Sequence, residues 1–234
     1  MDVTTCELRS MGVQIGPVDV LRDISFSCFS STVTVVLGRN GSGKSTLLKT
    51  VAGLCKPSSG DVLYFSKNVQ NYSLLQLAGM RSYVPQEGIA ISGYTVENLF
   101  ETVGCLNPSD VLREVGLSSS YLCKPLHALS GGEKQLVAVC LAMAQQALFW
   151  VWDEPCHFLD YHHQERVLHV MKKHASLGGT VLVSLHDLAQ AKWVSDMCVW
   201  LDEGMLQGWG ESKEVCTRGY AEKVYGVCPS WCVL

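Results

Sequence analysis

The chain reads as an α/β domain: a parallel core, preceded by antiparallel strands and interrupted by a helical insertion. Three observations predict it. The apolar run Val33-Thr34-Val35-Val36-Leu37 leads into Gly38-Arg39-Asn40-Gly41-Ser42-Gly43-Lys44-Ser45-Thr46, a G-x-x-x-x-G-K-S spacing, with Leu47-Leu48 after it. A second apolar run, Leu148-Phe149-Trp150-Val151-Trp152, ends in Asp153-Glu154. Between the two, from residue 87 to about residue 145, the composition turns helical.

A buried strand, a glycine turn and the first turn of a helix are what a phosphate-binding loop requires. The glycines let successive backbone N–H groups point into one concavity, and the helix N-terminus adds its partial positive charge. Lys44 can then reach β- and γ-phosphates, and the Ser45 hydroxyl can hold Mg²⁺. The loop therefore predicts a nucleoside triphosphate as ligand.

Ahead of the loop, residues 3–30 carry alternating stretches around Val13 and Ile15, then Val18, Val20 and Leu21, then Ile24, Phe26 and Cys28. Gly12, Gly16 and Pro17 separate them, which predicts several short antiparallel strands. A helix is expected over residues 44–54, a strand over 61–65, a weakly amphipathic helix over 74–80 and a strand over 82–85, followed by Gln86. Helices are expected over 95–103 and 109–115, the second with the polar start Ser109-Asp110. Leu129-Ser130-Gly131-Gly132-Glu133-Lys134-Gln135 then opens an apolar helix running to about residue 147. The core resumes with the strand ending at Asp153, whose unbroken apolar character suits a parallel sheet covered on both faces. A helix over 160–176, a strand over 180–185, a short helix after His186 and strands over 197–201 and 205–209 complete it.

The totals narrow the class. A net charge of −4 argues against a nucleic-acid partner. The polar start Met1-Asp2-Val3-Thr4-Thr5 lacks the basic region of a signal peptide, and the longest apolar candidate for a membrane span, residues 136–152, is broken by Gln145-Gln146. A cytoplasmic chain is expected. Its 11 cysteines are scattered and odd in number, so no disulfide framework is predicted. Cys228 and Cys232 could bind a metal or form a bridge, but free thiols on a dispensable tail are expected, since no further ligands stand at metal-site spacing. A hydrophobic content of 47% is compatible with a surface docked on a partner, although buried strands alone could supply it.

Two constellations carry chemistry. Asp153 and Glu154 lie where an α/β sheet places its site, outside the carboxyl ends of its strands. Asp153 suits indirect Mg²⁺ binding, and Glu154 can accept a proton from an attacking water. Ser130, Gly131 and Gly132 form a second anion-binding helix end, from a hydroxyl, free N–H groups and a dipole. One phosphate does not need two cradles in one subunit, so the second is expected to face a nucleotide held by another.

With both motifs in this order, nearly the whole chain resembles the nucleotide-binding subunits of ATP-binding cassette (ABC) transporters. The resemblance implies a P-loop NTPase (RecA-like) core with an N-terminal antiparallel β subdomain, made of residues 1–86 and 146–234, and an inserted helical subdomain over 87–145. It implies ATP and Mg²⁺ as ligands. Gln86 looks like the glutamine that contacts Mg²⁺ and the γ-phosphate, Asp160 like part of the loop that crosses a dimer interface, and His186 like the histidine that bonds the γ-phosphate and orients water. Two copies, expected to be identical, would sandwich two ATP molecules and drive a polytopic membrane permease, served in turn by an extracytoplasmic substrate-binding protein, from the cytoplasmic face of the cell membrane. Pro57-Ser58-Ser59-Gly60, Asp160-Tyr161-His162-His163-Gln164, Leu185-His186-Asp187-Leu188 and Val224-Tyr225-Gly226-Val227 look like the bacterial importers of iron-siderophore, haem and cobalamin type. Zinc or manganese import, and a soluble ABC-type ATPase of iron–sulfur cofactor assembly, are the alternatives. A DNA-transaction ATPase and a phosphate-loop kinase are weaker rivals; the kinase reading leaves residues 129–132 unexplained.

The chain departs from that pattern in several places. Ile15 stands where an aromatic side chain usually stacks on adenine and offers only apolar contact. Arg39 replaces a common proline, Leu136 a common arginine and Cys156 a common threonine, the last putting an oxidisable thiol near the site. The insertion, where a membrane subunit would dock, is also short. His162, His163, His169 and His174 lie along one helix, read as a solvated face rather than a metal site.

Overall fold

The computed structural model of the chain describes residues 3–89, 91 and 93–226. Among these residues the strands form two sheets. The first is antiparallel, in the order β2-β1-β4-β5, from β1 (Thr4–Ile15), β2 (Val18–Phe29), β4 (Ser59–Tyr64) and β5 (Lys67–Asn68). The second runs β10-β9-β3-β8-β7-β6. It comprises β3 (Val33–Leu37), β6 (Arg81–Val84), β7 (Phe149–Asp153), β8 (Thr180–Ser184), β9 (Met197–Asp202) and β10 (Met205–Glu211), and all its pairings are parallel except the β9–β10 hairpin.

β3, β7 and β8 are buried along their whole length, as their unbroken apolar runs predict. Alternate residues divide between two cores. Val36, Val151, Leu182 and Val199 face helix α1 (Lys44–Val51), which is packed between the two sheets through Leu47, Leu48 and Val51. Burying each of these side chains contributes about 1.5–3 kcal/mol. Val35, Trp152, Val183 and Trp200 face the opposite way, into the core shared with the remaining helices. Those helices are α3 (Val96–Thr102), α4 (Pro108–Glu114), α5 (Gly131–Ala144), α6 (Tyr161–Ser176), α7 (Leu188–Val194), α8 (Ser212–Val215) and α9 (Arg218–Tyr225); α2 (Leu74–Met80) packs beside α1.

Several expectations change. The short strands expected before the phosphate loop are two strands of 12 residues each. Gly12 does not break β1; it lets β4 approach, since a β-carbon there would sit 2.6 Å from Ser59 Oγ. The first helix ends at Val51 because Gly53 turns the chain with φ +71°. α5 stops at Ala144, ahead of Gln146 at φ +53°. The tail carries α9, which the sequence reading missed. Trp200 holds it in place: its ring meets Tyr220 and Tyr225 at centroid distances of 6.3 and 5.8 Å, while its Nε1 donates to Val215 O, at the end of α8, at 2.8 Å. Val227, Cys228 and Cys232 lie outside the described residues.

No helix among the described residues is long and apolar enough to cross a membrane. Nor do the described residues include a group of three or more His, Cys, Asp or Glu able to hold a metal ion. The α6 histidines have other roles. His163 donates its backbone N–H to Asp160 Oδ1 at 2.9 Å, and Arg166 Nε donates to His162 Nε2 at 3.0 Å. His174 is not on a solvated face: it stacks on Trp150 with centroids 3.8 Å apart, and burial lowers its pKa.

Candidate functional site

The phosphate loop connects β3 to α1, at the carboxyl edge of the parallel sheet. Each glycine has its own reason. A β-carbon on Gly38 would overlap the Leu201 carbonyl oxygen, and one on Gly43 (φ +101°) would sit 2.7 Å from Leu21 Cδ2. Gly41, at φ +79°, meets nothing within 4 Å and is needed for its backbone conformation alone. α1 begins at Lys44 with no side chain capping its N-terminus, so its first N–H groups are available to an anion. Lys44 Nζ donates to Gly38 O at 2.8 Å and Arg39 O at 3.1 Å, curling over the loop. Burial lowers the pKa of that ammonium, while Glu154 and Asp153 act to raise it. Ser42 Oγ is buried without a partner. The resulting cavity, about 370 Å³, is lined by Asn40, Gly41, Gly43, Lys44, Ser45 and Thr46, and reaches Val20, Gln86 and Glu154. Arg39 is exposed on the outer side of the loop.

Asp153 closes β7 and is almost wholly buried. One hydroxyl organises it: Ser184 Oγ donates to Asp153 Oδ1 at 2.7 Å and accepts the Glu154 N–H at 2.9 Å. Glu154 turns out of the strand at φ +49°, a conformation that costs a non-glycine residue about 1–3 kcal/mol and clusters at functional sites. Its two oxygens are held from opposite sides, Oε2 by Gln86 Nε2 at 2.9 Å and Oε1 by His186 Nε2. Burial alone would raise this carboxyl, but bonded His186, with Lys44 and His157 nearby, more than offsets it and holds the pKa below its ordinary value. The group is therefore a charged, oriented carboxylate beside the phosphate cavity, able to accept a proton. Ser45, Gln86 and Asp153 supply a hydroxyl, an amide oxygen and a carboxylate, the hard oxygen donors that Mg²⁺ takes. That donor set, with the glycine cradle, fits a magnesium nucleotide.

The second helix end is built differently. Ser130 caps α5 reciprocally with Glu133: Ser130 Oγ accepts Glu133 N–H at 3.2 Å, and Glu133 Oε2 accepts Ser130 N–H at 2.7 Å. Tyr121 Oη also donates to Glu133, and these bonds pull its pKa down to about 2. Gly132 is required by a close approach, since a β-carbon there would lie 2.7 Å from Phe158 O. Ser130, Gly131 and Gly132 do not line the phosphate-loop cavity of their own chain. Asp160 caps α6 and lines a separate pocket of about 460 Å³ that also reaches Glu154 and His186.

Two sequence expectations shift. Ile15 is exposed at the tip of the β1–β2 hairpin and does not line the phosphate-loop cavity, whereas Val20, the third residue of β2, does. Cys156 is buried, and burial raises its pKa to about 12, so the thiol stays protonated and is a poor target for oxidation. Sequence reasoning passed over Ser184, which lies in a run noticed only for His186. Its one available signal was a hydroxyl ending a strand that pairs with β7.

A glycine cradle between strand and helix, with a lysine curled inside it and a polarised carboxylate at the next strand end, defines a phosphate-loop nucleoside triphosphatase. The comparisons narrow the class. The ABC transporter family model matches residues 21–157, and the chain belongs to that family. It is an ATPase that binds and hydrolyses ATP. It is 34% identical to the Hemin import ATP-binding protein HmuV of Aliivibrio fischeri over 233 residues, covering 93% of this chain and 89% of that one. It is 30% identical to the Iron(3+)-hydroxamate import ATP-binding protein FhuC of Bacillus subtilis over 234 residues, covering 94% and 87%. Among solved structures, an ATP-binding subunit of an ABC transporter superposes with a TM-score of 0.83 at 23% identity, covering 95% of this chain and 94% of that one. A dimeric ATP-binding cassette holding ADP and Pi superposes at 0.80 and 21%, covering 88% and 98%. At these identities the structural likenesses establish the fold.

Proposed function

We propose that the chain is the ATP-hydrolysing subunit of a bacterial importer of iron chelates or haem. It would work at the cytoplasmic face of the cell membrane against a polytopic permease, with a substrate-binding protein outside. The observation that carries the hydrolytic part is Glu154, held between Gln86 and His186 at the edge of the phosphate-loop cavity. The cargo rests on the printed functions of relatives at 30–34% identity that match nearly the full chain.

In this reading the N–H groups of residues 38–46 and Lys44 bind the triphosphate, and Val20 borders the same cavity. Lys44 exchanges its bonds to the Gly38 and Arg39 carbonyls for phosphate oxygens. Ser45, Gln86 and Asp153 would hold Mg²⁺, which supplies charge neutralisation to the phosphates. Glu154 accepts a proton from the attacking water, and His186 orients that carboxylate and the γ-phosphate. Ser130, Gly131 and Gly132 of a second, head-to-tail copy close over the same nucleotide, with Asp160 near the joint. Residues 1–86 and 146–234 form the catalytic core and residues 87–145 the helical part that carries the second anion end. Gln86, the last core residue before the insertion, would pass the state of the site to the docked permease.

The test is to isolate the tagged chain from gently solubilised membranes and identify its partners. A polytopic membrane protein in stoichiometric amount supports the reading. A solely soluble partner overturns it in favour of an assembly-type ATPase.

A further inference from the structure

Two buried cysteines behind the tail are arranged unlike the others. Cys198, on β9, and Cys216, at the end of α8, are both buried, and their thiols are hydrogen-bonded to each other. Two serine hydroxyls extend the contact. Cys198 Sγ lies 3.4 Å from Ser195 Oγ and 3.8 Å from Ser212 Oγ, and the two hydroxyl oxygens are 2.7 Å apart. Ser195 Oγ donates to Ala191 O at 2.7 Å, so Ser212 donates to Ser195 and the Cys198 thiol to Ser212. That order leaves the Cys198 lone pairs to the Cys216 S–H. The backbone fixes the same arrangement: Ser212 N–H donates to Asp196 O at 2.8 Å, and Cys216 N–H to Ser212 O at 2.8 Å. Burial pushes up the thiols of Cys6, Cys28, Cys140 and Cys156. The bond from Cys216 pulls Cys198 the other way, below its ordinary value, and raises Cys216 itself.

We infer that Cys198 and Cys216 are a dithiol that hydrogen peroxide closes into a reversible disulfide, latching α8 to β9. The Cys198 thiolate attacks one oxygen of the peroxide and the O–O bond breaks. The other oxygen leaves as hydroxide and takes up the proton that Cys198 lost, giving water and a sulfenic acid on Cys198. The Cys216 sulfur then attacks the Cys198 sulfur, gives up its proton and expels the hydroxyl as a second water. Two thiols lose two electrons, one peroxide gains them, and the products are one disulfide and two waters. Access comes from the tail. α8 has 4 residues and α9 has 8, too few to hold as helices once undocked, so local opening uncovers both sulfurs. The disulfide closes that opening, because Cys216 adjoins Val215, whose carbonyl oxygen accepts the Trp200 Nε1–H on the same docking face.

The experiment treats the folded full chain with stoichiometric hydrogen peroxide, blocks the remaining thiols by alkylation and maps the peptides by mass spectrometry. The expected product is a peptide linking Cys198 to Cys216, separated again by dithiothreitol. The thermal midpoint should rise by about 5 °C on oxidation and return on reduction, since the bond restrains the unfolded chain between the two residues. In Cys216→Ala, Cys198 has no partner and should stop at the sulfenic acid, trapped by dimedone, with no rise in midpoint. A Cys198 recovered as the free thiol, or linked to Cys228 or Cys232 instead, overturns the pairing. A linked pair whose formation leaves the midpoint unchanged or lower overturns the latch. A folded Cys216→Ala protein in which dimedone does not trap Cys198 overturns its role as the attacking sulfur. The peptide map is made on the wild-type chain, so it decides the pairing even where Cys216→Ala fails to fold.

Discussion

Ser184 Oγ lies 2.7 Å from Asp153 Oδ1, joining the ends of two neighbouring parallel strands. The same oxygen accepts the Glu154 N–H, so one side chain on β8 orients both carboxylate residues at the end of β7. Asp153 is almost fully buried, and removing its donor leaves part of a charged group unsatisfied. Ser184→Ala is therefore expected to cost about 1–3 kcal/mol of stability, read by denaturant unfolding. It should also raise the Mg²⁺ concentration needed for half-maximal hydrolysis. An unchanged Mg²⁺ dependence would remove Ser184 from the site and leave it a structural role.

Glu154→Gln keeps the size of the side chain and removes its basicity. Turnover should fall by about 10²–10⁴-fold, the usual contribution of a general base. ATP binding, measured by equilibrium titration, should persist, because the phosphate contacts come from the loop and Lys44. Normal turnover in this variant would withdraw the general-base assignment.

Gly38→Ala tests the cradle. The added β-carbon meets the Leu201 carbonyl, a backbone atom of β9 that cannot swing away as a side chain would. Overpacking of this kind costs about 1–3 kcal/mol or more. The loop must shift to relieve it, so ATP affinity should fall along with the thermal midpoint. Gly41→Ala meets no neighbour but keeps the φ +79° penalty, and should cost less stability than Gly38→Ala. The opposite order would contradict the close-approach explanation.

Glu133 gives the pH prediction. Bonds from Tyr121 and Ser130 lower its pKa from 4.5 to about 2. A depressed carboxylate stabilises the fold fully above its unfolded pKa, and the contribution is lost as pH falls through the folded value. Glu133→Gln should therefore be less stable than the parent at neutral pH, by the charge-dependent part alone, because Gln can still accept the Ser130 N–H in the capping box. The gap should narrow as pH drops from about 4.5 towards 2 in acid unfolding curves of the two proteins. A gap independent of pH would mean that charge on Glu133 does not matter to the cap.

Much of the site was legible because its parts are local. The glycines, Lys44 and Ser45 follow β3 without interruption, and Asp153 and Glu154 end a strand whose apolar run is unmistakable. The capping box of α5 is also a local signal, with Ser130 three residues before Glu133. Non-local packing was harder to read. Gly12 looked like a strand breaker because its reason, the approach of Ser59, lies 47 residues away on β4. Helix α9 was missed because its docking partner is Trp200, on a strand already counted as core.

The sequence by itself determined which groups are available for chemistry: a phosphate-binding loop, a carboxylate pair, a glutamine and a histidine at strand ends, and a serine with two glycines at a second helix start. Those are properties of short segments, where residue type and spacing dictate which backbone groups are free and which charges are present. The tertiary structure decided what those groups do to one another. Glu154 becomes an oriented carboxylate only because Gln86, 68 residues before it, and His186 arrive from other strand ends, and Asp153 is set by a serine on the adjacent strand. It also decided that Ser130, Gly131 and Gly132 stay outside the phosphate-loop cavity of their own chain. Sheet order and burial govern such relations, and they depend on every element packed around the site at once.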